Sequence, residues 1–231
     1  MLKLIKLIFL SCLLLVNVAF AQPKNIQLEY EVTRNGKSFG TVKESYIQEG
    51  GKYRILSTTK GTGLYALLGE RVLTSHGEVT AKGLVPAEFK LKRGNSARKS
   101  LSASFDWVSN MLNMLVKGET RTAKLVFGTQ DLASYAYQFM FTPPKGSQVK
   151  VALTTGKKLK QYTYNVEARD VVLKLGDTTY KTLHLVNAEV KGKKKKELWL
   201  SEANHYIPVK YLIVDKHGDK IEQNLTKISI K

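Results

Sequence analysis

The chain has 231 residues, 43% of them hydrophobic, and carries 37 Lys and Arg against 19 Asp and Glu for a net charge of +18. That apolar content excludes a disordered tail and suits one globular domain, or two small ones. The single Cys excludes a disulfide framework and a Cys-based zinc site. Four scattered His and the lack of a phosphate-cradling glycine motif leave metal and nucleotide chemistry without sequence support.

The first element is an export signal. Lys3 and Lys6 precede an apolar run from Leu7 to Phe20, and Ala19-Phe20-Ala21 offers small residues at both positions a signal peptidase reads. Cleavage is expected after Ala21, leaving residues 22–231 as one β-rich domain in the periplasm. A membrane anchor is the rival, but a span needs about 20 apolar residues and this run is shorter. Cys12 is a poor lipidation site, because the apolar run continues past it to Val16. The remaining chain is cysteine-free and strongly basic, with no transmembrane segment expected. In that compartment its polyanionic neighbours are anionic lipid and lipopolysaccharide rather than chromosomal DNA.

Alternation then dominates. Ile26, Leu28, Tyr30 and Val32 share one face of a predicted strand, and Gln27, Glu29 and Glu31 share the other. Asn35-Gly36 is a strong hairpin signal, with Phe39 to Gln48 as the returning strand. Further strands are predicted over Tyr53 to Thr59, Arg71 to Thr80, Leu84 to Arg93, Lys99 to Asp106, Met111 to Val116 and Arg121 to Phe127, with a helical turn over Leu64 to Leu68. The pattern resumes with Val149 to Leu153, Gln161 to Val166, Val171 to Leu175 and Tyr180 to Val190. Glu197 to Leu200, Pro208 to Asp215 and Lys220 to Ile230 close the chain. Turn signals every 8–12 residues or so fit antiparallel architectures, and no strand–helix alternation suggests a parallel sheet.

One segment departs from this. Leu132, Tyr135, Ala136, Phe139 and Met140 fall at i, i+3, i+4, i+7 and i+8, predicting one amphipathic helix over residues 130–140, capped at Thr129 and ended by Pro143-Pro144. The expected fold is mainly β: a curved antiparallel sheet, or a closed or nearly closed barrel, with that helix against it; a β-sandwich is the alternative.

Candidate chemistry is sparse. Gly36-Lys37-Ser38-Phe39-Gly40 has the G-x-S-x-G spacing of a hydrolase elbow, but it follows a hairpin signal and leads into a strand where the elbow needs a helix. His205 and His217 lie near carboxylates, yet His217 reads as a turn and His184 as a strand residue. Asp106 and Asp131, beside aromatic and apolar residues, read as turn or cap carboxylates. Lys191, Lys193, Lys194, Lys195 and Lys196 form the densest charge run, both a polyanion contact and a solvated hairpin loop. Leu132, Tyr135, Phe139 and Met140, with Phe105, Trp107 and Trp199, are the candidate ligand contacts if the curled sheet keeps interior volume; a filled core is the competing outcome. No cofactor, metal or nucleic acid is expected.

Several segments together resemble the exported bacterial domain of unknown function 3108 family. They are Tyr30-Glu31-Val32 with Gly36 and Gly40, Gly83-Leu84-Val85-Pro86, Phe105-Asp106-Trp107, Gln130-Asp131-Leu132-Ala133-Ser134, Leu198-Trp199-Leu200 and Ile207-Pro208-Val209-Lys210. The resemblance spans about Ile26 to Ile230. It implies an exported, β-rich, single-domain protein and brings no catalytic residues. A curved sheet with a helical element is also similar in plan to carriers that ferry lipoproteins across the periplasm, although a fold does not fix a function. The expected function is a non-catalytic, monomeric binding or carrier module for an amphipathic, lipid-like anionic ligand. An envelope adaptor binding another protein ranks second, and a hydrolase last.

Overall fold

The computed structural model describes residues 22–94, 96–187 and 195–231, so the predicted export signal and Lys191, Lys193 and Lys194 lie outside the described residues. One sheet of fifteen strands makes up nearly all of the fold. Its first half is a meander: β1 (Asn25–Arg34), β2 (Lys37–Glu49), β3 (Lys52–Gly61), β4 (Arg71–Thr80), β5 (Gly83–Arg93), β6 (Leu101–Asp106), β7 (Met111–Val116) and β8 (Glu119–Lys124). A long crossover, residues 125–147, contains the two-residue β9 (Gln130–Asp131). The chain then returns through β10 (Gln148–Thr154), β11 (Leu159–Leu175), β12 (Thr178–Asn187), β13 (Lys195–Ser201), β14 (Ile207–Val214) and β15 (Lys220–Ile230).

The last strand pairs with the first, so β1 sits mid-sheet between β2 and β15, with the two halves fanning away from it. Every pairing is antiparallel except the short β9–β10 contact. The alternation read in β1 is real: Ile26, Leu28, Tyr30 and Val32 are buried. The sheet is curved, because β5 and β14, six places apart in strand order, both touch the turn Tyr137–Met140. It is not closed. Among the described residues no ladder joins the end strands β8 and β9, and the exposed residues of β8, among them Glu119, Arg121 and Lys124, make a charged edge that discourages pairing.

The predicted helix over residues 130–140 is not an α-helix. Gln130 and Asp131 run extended against Leu153 and Thr154, residues 132–136 form turns, and only Tyr137–Met140 is helical, as a 3-10 turn. The apolar stripe misled because the segment is buried on nearly all sides: Ala133, Ser134 and Tyr137 are as enclosed as Phe139 and Met140. Asp131 adds a local competitor to helix, accepting hydrogen bonds from the backbone N–H of Ala133 (2.8 Å) and Ser134 (2.9 Å). The crossover therefore fills the hollow of the curled sheet. Ala133, Tyr137 and Met140 pack into one apolar cluster with β1–β7, and Phe139 packs into a second with Val151, Leu153, Leu183 and Leu198.

The crossover is sewn to the sheet through polar groups. Ser75 on β4 donates to Asp131 Oδ2 at 2.6 Å, with the Tyr53 hydroxyl 3.0 Å from Ser75 Oγ. β6 covers β5 only from Glu88 to Leu91. Beyond that, Gln138 accepts from the Leu84 N–H and Gln130 donates to the Leu84 carbonyl, each at 2.8 Å. Trp107 Nε1 donates to the Pro86 carbonyl at 2.7 Å. These side chains supply the bonds a neighbouring strand would have made.

Gly77 sits at a bulge between β4 and β5, and a Cβ there would lie 2.1 Å from the Val85 carbonyl oxygen. Gly77→Ala is expected to cost about 2 kcal/mol, since the bulge must open to admit the methyl group. A urea unfolding midpoint unchanged from wild type would refute this.

Candidate functional site

Between the two halves of the sheet lies a cleft of about 320 Å³. Val42 from β2, Leu73 from β4, Leu132 and Tyr135 from the crossover, and Leu198 and Ile213 from β13 and β14 supply its apolar walls. Glu44, Glu197, Arg71 and Lys196 bring charge to it, Glu197 being paired with Lys195 at 2.7 Å. A second hollow of about 360 Å³ is lined by Phe39, Tyr65, Leu68, Arg71, Arg93 and Lys99 among others, and shares Phe39, Thr59 and Arg71 with the first. Arg71 thus stands where the two spaces meet.

Strand parity places the charges. On β2 the inward row is Gly40, Val42, Glu44, Tyr46, so Glu44 is a carboxylate between two buried apolar residues. Its cross-strand neighbour is Ser57, which donates to Oε1 at 2.9 Å, and the Tyr137 hydroxyl donates to Oε2 at 3.2 Å. Burial raises the Glu44 carboxyl above its ordinary range, against the pull of those two hydrogen bonds and of the Arg71 charge.

Arg71 lies on the inward row of β4, directly opposite Arg93 on β5. Like charges facing each other across an antiparallel pair are destabilising. Burial, then the Arg93 charge, lower the Arg71 pKa, with Glu44 opposing. Neither guanidinium forms an ion pair with a described residue. Two facing guanidiniums that form no ion pair with a described residue, set beside apolar walls, have the chemistry to receive an anion with an apolar body.

The residues singled out from the sequence fall into three groups. Leu132 and Tyr135 line the cleft, as does Lys196, whose Nζ lies 4.6 Å from the centre of the Tyr162 ring. Phe139, Met140 and Phe105 are buried in the packed clusters, and Phe105 stacks on Trp107, 6.0 Å between centroids. Trp199 stacks on His184 (4.2 Å) with Lys210 over its ring (5.2 Å), while Lys195 pairs with Glu197 at 2.7 Å. His184 also bonds Glu197, at 2.7 Å, tying β12 to β13.

Ser38 is the second residue of β2, just after the hairpin turn, and lies 3.4 Å from the Thr62 hydroxyl, so the G-x-S-x-G spacing belongs to a hairpin. Asp106 accepts from the N–H groups of Val108 and Ser109 in the β6–β7 turn, and Asp131 caps the crossover. Among the described residues, no three His, Cys, Asp or Glu side chains gather as a metal site, and no helix is long and apolar enough to cross a membrane.

A family model described as "Protein of unknown function (DUF3108)" matches residues 28–226, most of the chain. The chain belongs to this family. No curated protein matches it. The match runs from Leu28 within β1 to Thr226 within β15 and so includes every residue of the cleft and of the Arg71–Arg93 pair.

Glu44 and Arg71 were not among the residues singled out from the sequence. Glu44 had a detectable signal, a charge at inward parity between Val42 and Tyr46. Arg71 did not, because its partner depends on the β4–β5 register.

Proposed function

We propose that this DUF3108 family member is an exported, periplasmic, non-catalytic binding or carrier module for an anionic amphiphile. The apolar portion enters the cleft beside Leu132 and Tyr135, and the anionic head meets Arg71. The observation that carries this reading is the Arg71–Arg93 pair, two facing cations without an ion-pair partner among the described residues, held where two apolar-walled hollows join. A merely structural pair of strands gains nothing from that repulsion, whereas an anion converts it into two charge-assisted hydrogen bonds. The cleft volume is at the lower end of the range used by small-molecule sites, which suits one acyl chain better than a multi-chain lipid.

Native mass spectrometry and a palmitate binding titration test the reading. The purified protein is expected to carry or take up one acyl anion, and to prefer palmitate over its uncharged methyl ester. Leu132→Trp, which puts an indole into the cleft, is expected to abolish uptake. No co-purifying acyl mass together with no saturable palmitate binding would overturn the proposal.

A further inference from the structure

We propose that the turn Gly63–Leu68 is a membrane-docking element that inserts its leucines into an anionic bilayer. Three of its side chains are almost fully open to solvent: Leu64 at 84%, Leu67 at 85% and Leu68 at 71%. Other exposed apolar side chains, such as Val108 and Val172, stand singly, and Val126 and Phe127 make only a pair, with Lys82 Nζ 5.3 Å from the Phe127 ring centre. Single exposed apolar residues need no explanation; a contiguous group does.

The turn is built to hold these leucines outward. Tyr65 packs its ring against Phe39, 4.4 Å between centroids, and donates its backbone N–H to the Thr62 carbonyl. The Thr62 N–H is in turn bonded to the Phe39 carbonyl, and the Gly69 N–H to Ala66. A Cβ on Gly61 would lie 2.3 Å from the Tyr65 carbonyl oxygen, so the turn is folded down tightly on β3. With Tyr65 as the anchor, the leucines face away from the sheet.

Charge decides what the leucines meet. The hollow beneath Tyr65 and Leu68 is walled by Arg71, Arg93 and Lys99 together with Glu70, whose charge is met by Lys60 at 2.8 Å, and Arg93 and Lys99 are exposed. Neither forms an ion pair with a described residue. Exposed leucines flanked by unneutralised cations are the complement of an anionic interface: the leucines enter the acyl boundary while the cations meet head groups. Cations near such a surface add their attraction to that of the buried leucines, so a few suffice. The hollow shares Phe39, Thr59 and Arg71 with the cleft, which places the membrane contact beside the proposed ligand site. The docking role does not depend on the cleft being occupied.

Vesicle co-sedimentation tests it, using protein purified from cells expressing the full chain. Wild type is expected to bind phosphatidylglycerol vesicles at physiological salt and not phosphatidylcholine vesicles. The triple variant Leu64→Ser, Leu67→Ser, Leu68→Ser is expected to lose about tenfold in partitioning, with unchanged circular dichroism and unfolding midpoint since these side chains contribute little packing. Arg93→Gln with Lys99→Gln is expected to weaken binding and flatten its salt dependence. Leu132→Trp, which blocks the cleft, is expected to dock as wild type does, so failure of the cleft reading and of this one are separable. Equal partitioning of wild type and the triple variant, equal binding to both vesicle types, or no binding to phosphatidylglycerol would each overturn the proposal.

Discussion

Replacing Asp131 with asparagine is expected to remove most of a fall in stability that the wild-type protein shows as pH rises from about 4 to about 6. Asp131 is fully buried, and burial pushes its carboxyl up to about 6 in spite of hydrogen bonds from Ser75, Ser134 and Ala133. The unfolded chain has the ordinary value near 4, so between the two pH values the folded state keeps a proton that the unfolded state has released. Stability from this group is therefore full below pH 4 and is lost as pH climbs through 6, a difference of about 3 kcal/mol. Asparagine leaves an oxygen to accept from the backbone N–H groups and offers an N–H toward Ser75, whose own hydroxyl can turn to Tyr53. Asp131→Asn is accordingly expected to match wild type near pH 4 and to exceed it by about 1–3 kcal/mol near pH 8. Asp131→Ala, which strands the Ala133 and Ser134 N–H groups, is expected to cost about 3 kcal/mol or more near pH 4 and less near pH 8, where the wild type has itself lost stability. Urea unfolding midpoints measured from pH 4 to 8 decide the matter: parallel wild-type and Asp131→Asn profiles would show that the carboxylate is not the titrating group.

Arg71→Gln is expected to separate function from stability. Relieving the Arg71–Arg93 repulsion should leave the fold as stable as wild type, or more stable by about 0.5 kcal/mol. Palmitate affinity should fall at least tenfold, because a charge-assisted hydrogen bond to the head group contributes about 1.5–3 kcal/mol. Lys90→Gln is the control: Lys90 is a cation on β5, the strand of Arg93, paired with Glu88 at 2.8 Å and absent from the cleft lining, and its loss should not change uptake. A result in which Arg71→Gln unfolds readily while palmitate still binds would make the arginine structural and leave the cleft without its anion contact.

Much of the fold was legible before any coordinates. Arg71–Thr80, Met111–Val116 and Lys220–Ile230 were read as strands with the boundaries they have, because half-buried strands write their period of two into the sequence. The turn at Leu64 to Leu68 was also readable, as were the hairpin that dissolves the Ser38 motif and the capping roles of Asp106 and Asp131. The 130–140 segment was misread for a physical reason. A 3.6-residue apolar period signals helix only when the opposite face is wet, and here the sheet surrounds the segment and buries Ser134 and Tyr137 as well. Gln161–Val166 and Val171–Leu175 read as two strands but are one, β11, kept continuous through two register shifts.

The amino-acid sequence alone determined which residues form strands, which faces point inward and that Glu44 interrupts an apolar row. Tertiary structure decided which strands meet and in what register. Counting back from the Thr80–Gly83 pair would set Arg71 against Lys92. The bulge at Gly77 shifts the ladder by one residue and brings Arg93 opposite instead, on the inward row with Leu91 and Phe89. Likewise, local pattern cannot tell that the last strand pairs with the first in mid-sheet, or that a crossover of turns occupies the hollow between the halves. Pairing and filling are set by long-range burial, which a period of two or 3.6 does not encode.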